Sequence, residues 1–310
     1  MRIIKPKRLR RGDVIGICAP AGALASPDAI DKGISYLERL GYRVHLGNNV
    51  YKRRGYLAGS DRQRVDDLHE MFRNKHVRAI FSARGGFGSQ RIVPLLNYAL
   101  IRKNPKMVVG FSDITALHLA LFSKSGLVSL SAPLVVEMPL RGQAEEIFWR
   151  ALTSVKPLGV IRPTDKPIFY QPGRHATATG TLIGGNVSLI SAMLGSSYFP
   201  ALNNPLLFLE EIDERPYRVD RTLQHIRLNN IFGKLQGVIL GTFIGCTPVK
   251  GRPSLKIQQV FHDALSDAPF PVVSGLRFGH IRNSLSIPFG VIAKIDGKRN
   301  QLEIRESLVS

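Results

Sequence analysis

The chain has 310 residues, 44% of them hydrophobic, which exceeds the size at which one hydrophobic core usually stops growing, so two domains are expected. No apolar run approaches bilayer-spanning length, and the basic start (Arg2, Lys5, Lys7, Arg8, Arg10 and Arg11 before Asp13) lacks the apolar segment of a secretory leader; a cytoplasmic protein without a membrane span is expected. The net charge of +20 favours anionic partners, but the basic residues are scattered and no nucleic-acid-binding signature occurs, so nucleic acid is not the expected partner.

In chain order, residues 13–22 read as a buried strand running into a Gly/Pro-rich loop. Residues 27–40 read as a helix with Ile30, Ile34 and Leu37 on its apolar face, and Ser26 before Pro27 suits its cap. A strand at 42–46, a helix at 61–72 (Val65, Leu68, His69, Phe72) and a strand at 77–83 follow. Next come the loop Arg84-Gly-Gly-Phe-Gly-Ser and a helix over 91–96. This alternation predicts an α/β protein with a mainly parallel sheet covered by helices, whose ligands bind beyond the carboxyl ends of the strands. Residues 156–176, with Pro157, Pro163, Pro167 and Pro172, read as a linker between a domain at 1–155 and a strand-richer one at 177–310. The second domain has strand-like runs at 206–209, 235–241, 271–274 and 290–295, with a helix near 217–228.

Residues 107–121 carry the densest chemical signal. Met107-Val-Val is strand-like, Gly110 breaks it, and Ile114, Leu117, His118 and Leu121 fall at helical spacing. Ser112 therefore sits on a tight strand-to-helix bend beside free backbone N–H groups, the geometry of a nucleophile elbow; a plain helix cap is the competing reading. An activated serine needs a base and the base an orienting group. Among eight histidines, His69 and His118 lie on apolar helix faces, His225 lies within a helix, and His45, His76, His175 and His262 have no surrounding motif. His280 differs, since it lies in a loop after a strand with Gly279 beside it, so it can be aimed into a cleft. The run Leu206-Leu-Phe-Leu ends in Glu210 and Glu211, which alternation does not separate; Asp213 is the expected cap of the helix that Pro216 begins. Cys18 and Cys246 suit buried free residues better than a disulfide. No metal-binding or Walker-type motif occurs, and no metal or other cofactor is expected.

The pieces Gly16-Ile-Cys-Ala-Pro-Ala-Gly, Gly55-Tyr-Leu-Ala-Gly-Ser-Asp-Arg, Arg84-Gly-Gly-Phe-Gly-Ser, Gly110-Phe-Ser-Asp-Ile-Thr-Ala-Leu, Gly180-Thr-Leu-Ile-Gly-Gly-Asn, Leu209-Glu-Glu and Gly279-His stand in one order along nearly the whole chain. Together they resemble the LD-carboxypeptidase family of serine peptidases, which includes muropeptide LD-carboxypeptidases and microcin-C immunity peptidases. The resemblance implies a Rossmann-like N-terminal domain, a smaller strand-rich C-terminal domain, a cleft between them and a homodimer. It implies Ser112 as nucleophile, His280 as general base and Glu210 as orienting carboxylate. Elbow geometry nominates the backbone N–H of Asp113 for the oxyanion, and the Arg84-Gly-Gly turn a second donor at Gly86. Arg84 or Arg282 is expected to receive the substrate's terminal carboxylate. The implied reaction is release of the terminal D-Ala from a muramoyl tetrapeptide in peptidoglycan recycling, with cleavage of peptidyl-nucleotide antibiotics as the alternative and nucleic-acid binding a distant third. Glu211 where an Asp often stands and Phe111 for a common Tyr are conservative departures.

Overall fold

A computed structural model describes residues 2–169, 176–201 and 203–310. Pro172 and His175 lie outside the described residues. The N-terminal half contains β1 (Val14–Cys18), α1 (Asp31–Arg39), β2 (Arg43–Leu46), α2 (Asp61–Arg73), β3 (Val77–Ser82), α3 (Ser89–Ile92), α4 (Tyr98–Lys103), β4 (Met107–Gly110), α5 (Thr115–Ser125), β5 (Ser129–Ser131) and α6 (Gly142–Thr153). The rest contains β6 (Gly159–Ile161), β7 (Thr177–Asn186), α7 (Val187–Met193), β8 (Pro205–Ile212), α8 (Pro216–Leu228), β9 (Gly237–Ile244), α9 (Ile257–Leu265), β10 (Val272–Ser274), β11 (Ile287–Phe289), β12 (Ile292–Asp296) and β13 (Gln301–Ile304). Among the described residues no helix is long and apolar enough to cross a membrane.

Two sheets result. The first runs β2-β1-β3-β4-β5-β11, with β1 to β5 parallel. Its strand order reverses between β1 and β3, and there the loops after these strands meet, the Gly22 N–H donating to the Gly85 carbonyl at 3.0 Å. The second runs β10-β9-β8-β7-β12-β13-β6; β7 to β10 are parallel and the other three antiparallel. The predicted α/β architecture with a strand-rich second half is what forms.

Three local expectations need amendment. Residues 159–161, read as linker, form β6 and pair with β13. Ile287–Phe289, from the second half, pairs antiparallel with β5 and completes the first sheet. Asp213 does not cap α8: Arg215 is the N-cap, without a side-chain bond, and Asp213 adopts positive φ while its N–H donates to the Ile244 carbonyl at 2.7 Å.

One continuous hydrophobic core spans both sheets, and α5 explains how. Its apolar residues face all directions rather than one stripe, the pattern of a helix enclosed on every side. It packs on β5 of the first sheet and on β7 and α7 of the second. At the junction the Thr115 hydroxyl accepts the Asn186 N–H at 3.1 Å. Gly185 makes this approach possible, because a Cβ there would overlap the Thr115 side chain. The carboxyl end of β4, which carries the elbow, is thereby held against the carboxyl ends of β7 and β8.

Candidate active site

β4 ends at Gly110, and Ser112 opens a 3-10 turn that leads into α5. Its φ is +64°, and the other described non-glycine residues with positive φ are all Asn or Asp. Those types tolerate the left-handed region through local hydrogen bonds, whereas a serine there is held by its surroundings. The N-cap of that turn is Phe111, not Ser112, and the Ser112 hydroxyl pairs instead with His280. The plain helix-cap reading of this residue is therefore not what the structure contains.

Ser112 Oγ lies 2.9 Å from His280 Nε2, and His280 Nδ1 lies 2.7 Å from Glu210 Oε2. With Nδ1–H donating to the carboxylate, Nε2 presents its lone pair to the serine hydroxyl. Phe111 packs against the imidazole, ring centroids 4.8 Å apart. The Glu210 side chain is 4% exposed and that of His280 17%. Burial disfavours the charged imidazole, but the hydrogen bond and charge of Glu210 outweigh it, and the His280 pKa stands above its ordinary value. Hydroxyl, imidazole and carboxylate thus form one hydrogen-bond sequence able to take a proton from the oxygen and return it. Gly279, at φ +115°, is required here: a Cβ would stand 2.9 Å from the Glu210 carboxylate.

Glu210 and Glu211 diverge because consecutive strand residues face opposite sides. Glu211 accepts bonds from Asn186 Nδ2 (2.6 Å), the Ser188 N–H (2.9 Å) and Ser188 Oγ (2.7 Å), anchoring the start of α7. Its pKa is raised, since burial exceeds the opposing effect of those bonds. Only Glu210 reaches the histidine.

Ser112 and His280 border a cavity of about 610 Å³ with Arg84, Gly85, Gly86 and Glu137. Arg84 is held by its Nη1–H bond to the Ala23 carbonyl at 2.6 Å. Arg282 is exposed and does not border this cavity. Asp113 is buried, and its Oδ2 accepts the Ser89 N–H at 2.7 Å, tying the elbow to the glycine loop. Two cavity or loop-holding residues gave no local sequence signal. One is Glu137, on the turn after β5. The other is Arg64, a fully buried arginine of α2 whose Nη1 donates to the Pro20 carbonyl (2.6 Å) and the Gly88 carbonyl (2.8 Å). A charged residue on an amphipathic helix reads as solvated face; in Arg64 an adjacent Asp61 supplies the compensating charge.

Two other histidines hold backbone groups. His118 is buried and donates Nε2–H to the Gly110 carbonyl at 2.7 Å, and burial lowers its pKa to about 4. His69 Nε2 accepts the Asn97 N–H at 2.9 Å. Trp149 stacks on Tyr42 and donates to the Tyr36 hydroxyl, away from the cavity. Cys18 and Cys246 are both buried and free. Among the described residues no group of three or more His, Cys, Asp or Glu is arranged to hold a metal ion.

Comparison with known proteins concerns the chain as a whole. A family model for the LD-carboxypeptidase N-terminal domain matches residues 15–132, and one for the LD-carboxypeptidase C-terminal domain matches residues 179–295. A probable murein peptide carboxypeptidase of Bacillus subtilis is 36% identical over 94% of this chain and 91% of its own length. The microcin C7 self-immunity protein MccF of Escherichia coli is 26% identical over 96% of this chain and 95% of its own. The crystal structure of a muramoyltetrapeptide carboxypeptidase from Oxalobacter formigenes superposes with a TM-score of 0.81 at 28% identity, covering 94% of this chain and 99% of that one.

Proposed function

Since the chain belongs to the LD-carboxypeptidase family, we propose that it is a serine carboxypeptidase releasing the terminal D-Ala of a muramoyl tetrapeptide in peptidoglycan recycling. The observation that carries this reading is the unbroken sequence Ser112–His280–Glu210, at 2.9 and 2.7 Å, on a strained elbow facing a cavity. In the proposed mechanism His280 Nε2 takes the Ser112 proton as Oγ attacks the carbonyl of the penultimate residue. Glu210 holds the imidazole in the required tautomer and stabilises it when charged. The tetrahedral oxyanion is received by the N–H groups of Asp113 and Gly86; removing one such donor costs ~10²–10³ in turnover. His280 then protonates the leaving D-Ala, and water releases the acyl group by the reverse route. Arg84, which borders the cavity, is the stronger candidate for the terminal carboxylate than the exposed Arg282. A cytoplasmic site of action and a homodimer belong to the same proposal, supported by the family resemblance.

A second reading has its own observation. Tyr56 and Phe87, 66% and 45% exposed, pack edge to face at 5.6 Å, and Phe87 follows Gly86 directly. An open aromatic pair beside the cavity is suited to stacking a base, as cleavage of a peptidyl-nucleotide needs. The test is release of D-Ala from purified muramoyl tetrapeptide, set beside hydrolysis of an aminoacyl sulfamoyl adenosine, with chelator present. D-Ala release by wild type and none by Ser112→Ala supports the first reading; hydrolysis of the nucleotide alone replaces it with the second. Equal D-Ala release by both proteins would contradict the serine mechanism.

A further inference from the structure

Ser112 stands beyond the carboxyl ends of the first sheet's parallel strands, and the amino ends of the same strands carry a cluster of basic residues. Arg43 opens β2, Arg78 is the second residue of β3, and Lys106 precedes β4. The N-terminal arm runs along this end. Ile4 bridges to Leu127, the Arg8 N–H donates to the Ser310 carbonyl at 3.1 Å, and the Leu9 N–H donates to the Leu152 carbonyl at 2.8 Å. Leu9 is buried while Lys7, Arg8 and Arg10 are exposed, so a fixed backbone holds three cations outward. Together with the half-buried Arg78, Asp13 and Ser310, they line a recess of about 420 Å³.

Asp13 supplies the one acidic side chain on the wall of this recess, and it is already engaged. Its Oδ2 accepts the Arg10 N–H at 2.8 Å and lies 3.8 Å from Arg78 Nε. Among the described residues the side chains of Lys7, Arg8 and Arg10 make no hydrogen bond or ion pair, whereas Lys5 pairs with Glu306 at 3.5 Å. Like charges gathered in a recess repel one another, and a bound anion removes that cost. A guanidinium fork matches phosphate oxygens two at a time. No aromatic ring lines the recess, so a base would find nothing to stack on. Three unengaged cations exceed the charge of one phosphate group, about −1.5 to −2 near neutral pH. We propose that this recess is a second ligand site, which takes a molecule carrying two adjacent phosphate groups. The five residues of β1, roughly 17 Å of extended chain, separate it from the catalytic loops, so its ligand takes no part in the serine chemistry.

The test is calorimetric titration of the whole chain with inorganic diphosphate, beside orthophosphate at equal ionic strength. One site per chain is expected, with diphosphate about tenfold or more the tighter, the order of one added charge-assisted contact. Arg8→Gln/Arg10→Gln should weaken diphosphate about tenfold or more. These side chains are exposed and the Arg10 N–H to Asp13 is kept, so D-Ala release by the variant should equal that of wild type. Lys250→Gln/Arg252→Gln removes the same charge from the exposed loop after β9 and should leave the affinity unchanged. Equal affinity for the two anions, or equal weakening by the two double variants, overturns the proposal, because either is the mark of the diffuse field of a +20 chain. Competitive inhibition of D-Ala release by diphosphate places the anion at Arg84 instead and also overturns it. Vesicles containing phosphatidylglycerol separate two sources of the same chemistry. Sedimentation with them that diphosphate reverses assigns the site to lipid headgroups, and diphosphate binding without sedimentation assigns it to a soluble molecule; both sustain the site.

Discussion

His280 is pulled in two directions: burial favours the neutral ring, and Glu210 favours the charged one and prevails. A general base works in its neutral form, so kcat/KM should rise with pH to a midpoint above the ordinary imidazole value of about 6.5. Glu210→Gln removes the prevailing influence and leaves burial unopposed. Its pH profile should shift to lower pH while turnover drops by about 10³–10⁴-fold. A pH–rate series on both proteins checks this, and an unshifted midpoint would mean that Glu210 does not act through the imidazole. At this scale the sequence displayed Ser112 and His280 because a glycine, Gly110 two residues before the serine and Gly279 beside the histidine, disturbs an otherwise regular pattern. It did not separate Glu210 from Glu211 without the family resemblance, since only the packing of α7 and of the histidine loop assigns each its side. Glu137 was silent for the same reason: its neighbours in the cavity are Ser112 and His280, distant in sequence.

Elements carry these residues, and their joints are testable. Gly185 lets β7 approach α5, where Thr115 holds the Asn186 N–H. Gly185→Ala forces a methyl group into that contact at φ +135°. It should destabilise the protein by roughly 1–3 kcal/mol and reduce kcat, because β7 abuts β8 and hence Glu210. Denaturant unfolding and steady-state kinetics measure both; full stability with full activity would show that the joint between the sheets does not position the site. Strand–helix alternation in the first half was legible, since each buried parallel strand is a short apolar run followed by a periodic helix. β6 and β11 were not. Each has three residues, too few for a period of its own, and each exists only through pairing with a distant strand.

For the molecule as a whole, 43 lysines and arginines face 23 acids. The resulting positive field draws anionic substrates, and salt screens it over about 8–10 Å at moderate ionic strength. With a muramoyl tetrapeptide, kcat/KM should fall about threefold or more between low and high salt while kcat stays constant. A flat salt response would show that the cationic surface takes no part in substrate capture. An α/β first half and a strand-richer second half could be read from the pattern of apolar runs, but the single core shared through α5 could not, because enclosure by two sheets is a tertiary property.

The most direct test of the account is whether Ser112 and His280 act as one unit. D-Ala release by Ser112→Ala, His280→Ala and the double variant should be compared with wild type on one muramoyl tetrapeptide. Each single substitution should lower kcat by about 10⁴-fold or more, and the double should be no worse than either alone. Losses that multiply in the double variant, or a single variant that keeps near-wild-type turnover, would contradict the shared proton path from Ser112 through His280.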